Sequence, residues 1–293
     1  MLHLLPQLWR QKPLTRTNTT LTLLPLISVL AVTAHASSPV PPAAYQRAVE
    51  TMQLQGQDMG PAQQIAKLAF AQCNAVRSQY GLGENWPDAA LLKGVDRRVI
   101  ERFYQDGMAR TRVEGYTLAA ADFERWQQDS RATPGSLPAT PPDCSQARKQ
   151  PIISDQLWRD GQVFSIDHLH KRIRVKPYAP SPSKGFTAEQ WAALPTDTVL
   201  GHSCIRITEA LLPQLLKADF GLALPTGGAS KLSSCLWQEV PLTAQYNFPW
   251  PLQSHSEMAM AGSKLIQDVH SEQLTVGQAL PSSQFALPAG YSR

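Results

Sequence analysis

The most constraining feature of this chain is an apolar run near its start. Leu21 to Ala34 carries no charge, follows Arg10, Lys12 and Arg16, and ends in Ala34-His35-Ala36. A positive start, an apolar middle and a small-x-small exit define a secretory signal, because only small side chains fit the subsites of a signal peptidase. The run is shorter than the ~20 apolar residues that span a bilayer, and Pro25 interrupts it. The expectation is a signal peptide over residues 1–36, with an uncleaved anchor as the alternative. No cysteine stands at the cleavage point to take a lipid, and no comparable apolar run follows Ser37. The exported chain is therefore expected to lack a transmembrane segment and to reside in the periplasm.

Charge follows from the same feature. The leader holds three basic residues and no acidic one, so its removal takes most of the formal net charge of +4 with it. The sequence pI near 8.9 thus belongs largely to the leader and gives no support to nucleic-acid binding.

In an oxidising compartment the four cysteines read first as disulfides. Three pairings are possible. Cys73–Cys144 with Cys204–Cys235 is the expected one, since each bridge then lies within one half of the chain. A metal site or a catalytic thiol is the rival, without a Cys-x-x-Cys to support it.

The periodicity divides the chain in two, and the expected class is α+β. After a Pro-rich leader at 37–42, residues 37–150 read as a helical region. Pro61 opens a helix with Ile65, Leu68, Ala69, Cys73, Val76 and Tyr80 on one face. A second helix is expected over Asp88–Asp106, with Leu91, Leu92, Val95, Val99 and Phe103 buried. A third begins at Thr117 and buries Phe123 and Trp126. Residues 130–142, rich in Pro, Ser and Thr, form a linker. From 151 to 293 the pattern turns to period two, which predicts an antiparallel sheet. Strands are expected at 162–167, 170–176, 198–207, 231–240, 256–260, 264–270 and 273–276. A helix is expected at 209–218.

Four short patterns in the second half carry a family resemblance. They are Val163-Phe-Ser-Ile-Asp167 with Arg172-Ile-Arg-Val175, then Asp197-Thr-Val-Leu-Gly-His-Ser-Cys204, Leu236-Trp-Gln-Glu-Val-Pro241, and Ser283-Gln-Phe-Ala-Leu-Pro-Ala-Gly-Tyr291. Their order resembles that of periplasmic half-barrel proteins of the lipoprotein-carrier (LolA/LolB-like) type, over roughly residues 155–293. The resemblance implies a curved antiparallel half-barrel with an apolar concave face that binds a lipid or lipoprotein. It departs from the pattern in two places, since a helical region stands where the opening strands belong and a helical insert follows Thr208.

Several residues could carry function. Trp237 with Tyr246, Phe248 and Trp250 could line or lid an apolar site. They could equally pack, with Trp237 on the Cys204–Cys235 bridge and Phe248 and Trp250 on a hydrophobic edge. The basic row His170, Arg172, Arg174 and Lys176, with Arg206, suits an anionic headgroup or an acidic partner, or is a solvated sheet face. His255, Met258 and Met260 combine imidazole and thioether groups that copper favours, with His168, His170 and His202 elsewhere. Around Gly201-His202-Ser203-Cys204 the nucleophile and base types are adjacent, yet neighbours on a strand point to opposite faces. No hydrolase, zinc-protease or phosphate-loop motif occurs in the sequence. The expected role is non-catalytic and cofactor-free: binding of a lipid-like ligand, or a structural module that meets an envelope protein partner.

Overall fold

The computed structural model describes residues 42–57, 59–132, 137–178, 192–211, 231–237, 250–260 and 263–293. The expected signal peptide, the 209–218 helix beyond residue 211, Tyr246 and Phe248 lie outside them. In chain order the elements are β1 (Ala44–Leu54), α1 (Pro61–Gln79), α2 (Ala89–Gly94), β2 (Arg97–Gln105), β3 (Met108–Ala120), α3 (Ala121–Ala132) and β4 (Ala147–Arg159). There follow β5 (Gln162–Asp167), β6 (Arg172–Pro177), β7 (Thr196–Val199), β8 (His202–Thr208), β9 (Lys231–Trp237), β10 (Pro251–Met260) and β11 (Ser263–Val276). A 3-10 turn, Ser282–Phe285, lies in the C-terminal tail.

All eleven strands join one open antiparallel sheet in the order β6-β5-β4-β3-β2-β1-β11-β10-β9-β8-β7. The first strand is thus its centre. The chain meanders outward from β1 to one edge at β6, resumes at the other edge, and returns to β1 through β11.

Three hairpins turn on two-residue loops that need left-handed backbone at both positions. Asp106-Gly107, Asp160-Gly161 and Leu200-Gly201 supply it, with φ of 52° and 75°, 53° and 68°, and 52° and 81°. Such loops match the twist of the strands they join. The last hairpin corrects the single strand expected at 198–207, which is two strands, β7 and β8. The strands expected at 264–270 and 273–276 are one, β11. Its pairing to β1 slips between Arg47 and Ala48, leaving Glu272 as a bulge.

The first half is not a helical region. The helix expected over 88–106 is α2 followed by β2, and the helix expected from Thr117 begins at Ala121, after the end of β3. The boundary expected at residue 150 falls inside β4, and Val40–Arg293 forms one unit. The sheet-rich α+β class holds; the separation of helices from strands does not.

α1 starts at Pro61, and Asp96 caps it from outside, accepting from the backbone N–H groups of Gly60, Ala62 and Gln63 at 2.9–3.4 Å. Gly60 admits no side chain, because a Cβ there would collide with Met52 O and the Asp96 carboxyl. The buried stripe of α1 is Ala66, Phe70 and Cys73, packed on Leu118 and Ala120 of β3. Ile65 and Leu68, expected inside, are 70% and 65% exposed. The stripe is rotated about Cys73, which is bridged to Cys144 and belongs to both the expected and the observed face, so that Phe70 rather than Leu68 turns inward. Both expected disulfides are present, the second being Cys204–Cys235 between β8 and β9.

Candidate ligand-binding face

Directly opposed residues of antiparallel strands point to the same side of a sheet, so the register sorts side chains into two faces. One face is covered. Tyr116, Leu118 and Ala120 of β3 meet α1 and α3 there. Further along, Phe103, Leu157, Phe164, Ile166 and Ile173 meet Leu280, Phe285, Leu287 and Tyr291 of the tail.

A charge cluster centred on Asp155 pins that tail. Asp155 is wholly buried and accepts from Arg110 Nε at 2.8 Å and Nη2 at 2.6 Å. His168 Nε2 lies 2.8 Å from the same carboxylate, and its Nδ1 lies 3.0 Å from the Tyr291 hydroxyl. Arg110 Nη1 also donates to Gln284 O at 2.8 Å, and Arg159 Nη1 to Phe285 O at 3.0 Å. Burial pushes the Asp155 carboxyl up, but the Arg110 and His168 hydrogen bonds outweigh it and hold the pKa below the ordinary carboxylate range. The Asp155 hydrogen bond in turn pushes Arg110 up.

The other face carries a polar row. Gln46 pairs with Arg102, Arg102 with Thr111, Thr111 with Gln156, Gln156 with Ser165, and Ser165 with Arg174. The row crosses six strands. On one flank Ala44, Tyr104, Ala109 and Trp158 run parallel to it; on the other run Ala48, Ile100 and Val113. Among the described residues no helix covers this face over β2–β4. Its flanks are buried all the same. Ala44, Tyr104 and Ala109 join Trp237, Trp250 and Leu252 in one cluster, with Trp158 packed against it. Ala48 and Ile100 join Val269, with Val113 packed against them; Ile152, further along, stands 48% exposed.

At the end of the row that lies on the central strand, Gln46 is completely buried. Its Nε2 donates to Pro251 O at 2.7 Å and to Ser271 Oγ at 2.8 Å, tying β1 to β10 across β11. Its Oε1 accepts from Arg102 Nη1 at 2.7 Å. Glu50, on the same face, receives Arg98 Nη1 at 3.5 Å and Gln267 Nε2. Burial pushes the Arg102 guanidinium down to about 10, with Glu50 opposing from a distance. Among the described residues Arg102 makes no ion pair, so this face holds two half-buried arginines against one carboxylate.

Of the predicted site residues, Trp237 and Trp250 adjoin this face, in one cluster with Ala44, Tyr104 and Ala109. Trp237 and Trp250 are 1% and 5% exposed, and they pack with Leu252 and the Cys204–Cys235 bridge, as the packing alternative has it. Arg172 and Arg174 lie exposed on the edge strand β6, and only Arg174 belongs to the polar row. His255 pairs with Asp268 and Met258 with Leu265, so His255 and Met258 sit on opposite faces and cannot share an ion. His202 packs edge-on against Trp237 at 5.5 Å, Ser203 points to the other side, and Cys204 is oxidised. Gln46, Arg102, Thr111, Gln156 and Trp158 were not singled out from the sequence, because most of them lie in segments read as helix or leader.

No family model matches the chain, and no curated protein does. Among solved structures, an uncharacterized conserved protein from Thermus thermophilus is similar over 67% of this chain and 83% of its own, at 11% identity and a TM-score of 0.29.

Proposed function

We propose that this is an exported, non-catalytic binding protein that takes a lipid-like ligand on the face of its sheet that carries the polar row, with the sheet curling as a half-barrel around it. The observation that carries the reading is the asymmetry of the two faces. Helices and tail pack on one, while the other sets a polar row between two buried apolar flanks and leaves Ile152 exposed. Apolar groups beside a fixed polar row suit an amphiphile. The resemblance to lipoprotein-carrier-type proteins points the same way. Two disulfides fit an oxidising compartment, and the leader ending in Ala36 fits export to the periplasm. No described helix is long and apolar enough to cross a membrane.

Native mass spectrometry of the exported protein, purified without reductant, tests this. Extra mass that organic solvent removes supports the reading, provided that Ile152→Asp purifies without it and keeps its circular dichroism. A bare protein that stays bare when offered acyl lipids overturns it. That outcome would favour an envelope interaction module, for which the exposed Ile65 and Leu68 on α1 would be the contact.

A further inference from the structure

We infer that the ligand of the polar-row face carries an anionic head, a carboxylate or phosphate on its apolar body, and that Arg102 receives it. This rests on the lipid-binding reading and narrows it to one chemistry. The geometry begins with Gln46, whose amide is held on its nitrogen side by Pro251 O and Ser271 Oγ. That leaves Oε1 aimed at Arg102 Nη1 and fixes where the guanidinium lies. Arginine has five N–H donors in a planar fork. Among the described residues this bond is the one that Arg102 makes, and the side chain is partly exposed.

Charge matching says what should arrive. The nearest carboxylate on that face, Glu50, is already engaged by Arg98 and Gln267. A cation drawn out of water without a counter-charge is costly, and an oxyanion that docks on the fork relieves that cost through paired, charge-assisted hydrogen bonds. The downward push that burial exerts on Arg102 agrees with this. Thr111 and Gln156, next in the row, can complete the shell of the head, and Ile152 on the same face of β4 is exposed for the apolar body. Arg174 is too remote to share a small anion, since four strand spacings separate it from Arg102, roughly 19 Å along the sheet.

The test is calorimetric titration of the delipidated protein with decanoate, decyl phosphate and 1-decanol, which share a tail and differ in the head. Both anions should bind on the order of 10- to 100-fold more tightly than the alcohol, and the stronger of them identifies the head. Arg102→Met should bring both anions to the affinity of decanol while decanol itself is unchanged, and Arg102→Lys should keep part of the preference. If Met at that position prevents folding, Arg102→Gln removes the charge while retaining a donor for Gln46. Equal affinities for anions and alcohol in the native protein, or an anion preference that survives loss of the charge, would overturn the role of Arg102 and leave the apolar site standing. Failure of all three probes to bind the native protein would sink the lipid reading itself.

Discussion

Two arginines on adjacent strands show how differently this sheet treats the same side chain. Arg110 on β3 pairs in register with Phe103, and Arg102 on β2 with Thr111, so they are close neighbours that point to opposite faces. Arg110 meets a buried carboxylate with two nitrogens and a tail carbonyl with the third. Arg102 meets one neutral amide oxygen. Burial acts on both, yet the partner decides the outcome: the pKa of Arg110 is pushed up and that of Arg102 down. A matched charge at a buried site locks structure in place, here the C-terminal tail. An unmatched one stores an interaction that some other molecule can complete.

The largest expected effect breaks the matched cluster. Asp155→Ala leaves Arg110 without its counter-charge beneath the tail, and losing one partner of a buried pair costs roughly 3–5 kcal/mol. Urea denaturation should show that loss, and the tail should become a site of early proteolysis. A loss near that of a surface pair, below about 1 kcal/mol, would remove the distinction between the two arginines. The same carboxylate sets a pH dependence. Its folded pKa lies below the unfolded value, so its contribution is fully present above about pH 4 and is lost as pH falls through the folded value. Asp155→Asn should therefore flatten the acid limb of the stability profile.

The two disulfides rank next and compare the two halves of the sheet. Cys73–Cys144 closes a span of 71 residues and holds α1 to the segment that enters β4; Cys204–Cys235 closes 31 within neighbouring strands. Removing either by paired Cys→Ala substitution should cost roughly 2–4 kcal/mol, and the chain-entropy argument makes the longer loop worth about 0.7 kcal/mol more. Thermal unfolding of the two double variants checks the order. A larger loss from the shorter loop would show that strand geometry outweighs loop closure here.

How much could be read in advance depended on what each strand turns inward. β5 and β6 were legible because Phe164, Ile166 and Ile173 alternate with polar neighbours and face the covered side, as period-two reasoning requires. β1 was not, because its inward positions include Gln46 and Glu50, which are buried although polar. On β2, Arg98 and Arg102 likewise break the apolar alternation. The residues that make the candidate site are thus the ones that hid the strands carrying it. A usable signal was present in Asp106-Gly107 and Asp160-Gly161, each a two-residue hairpin loop in the sequence. The disulfide pairing was legible from the partition of the chain, whereas the burial of Trp250 depends on packing between strands that no local pattern reports.

Smaller effects test the unmatched side of the comparison. Arg102→Met exchanges a half-buried charge for an apolar chain of similar length, and its main structural loss is one hydrogen bond to Gln46. Chemical denaturation should therefore register a change within about 1 kcal/mol. A loss as large as that of Asp155→Ala would make Arg102 a structural residue. At the bottom of the scale stands His255, whose pKa is raised chiefly by the hydrogen bond with Asp268 at 2.7 Å, against an opposing push from burial and with Glu257 adding to the rise. The sign is opposite to that of Asp155: the folded pKa lies above about 6.5, so the contribution is present below that pH and is lost as pH rises through the folded value. The pair is largely exposed, and solvent screening reduces it to a few tenths of a kcal/mol. His255→Gln should make the melting temperature slightly less dependent on pH between about 6 and 8. If that substitution matched Asp155→Ala in cost, exposure would not be what separates strong charge pairs from weak ones in this sheet.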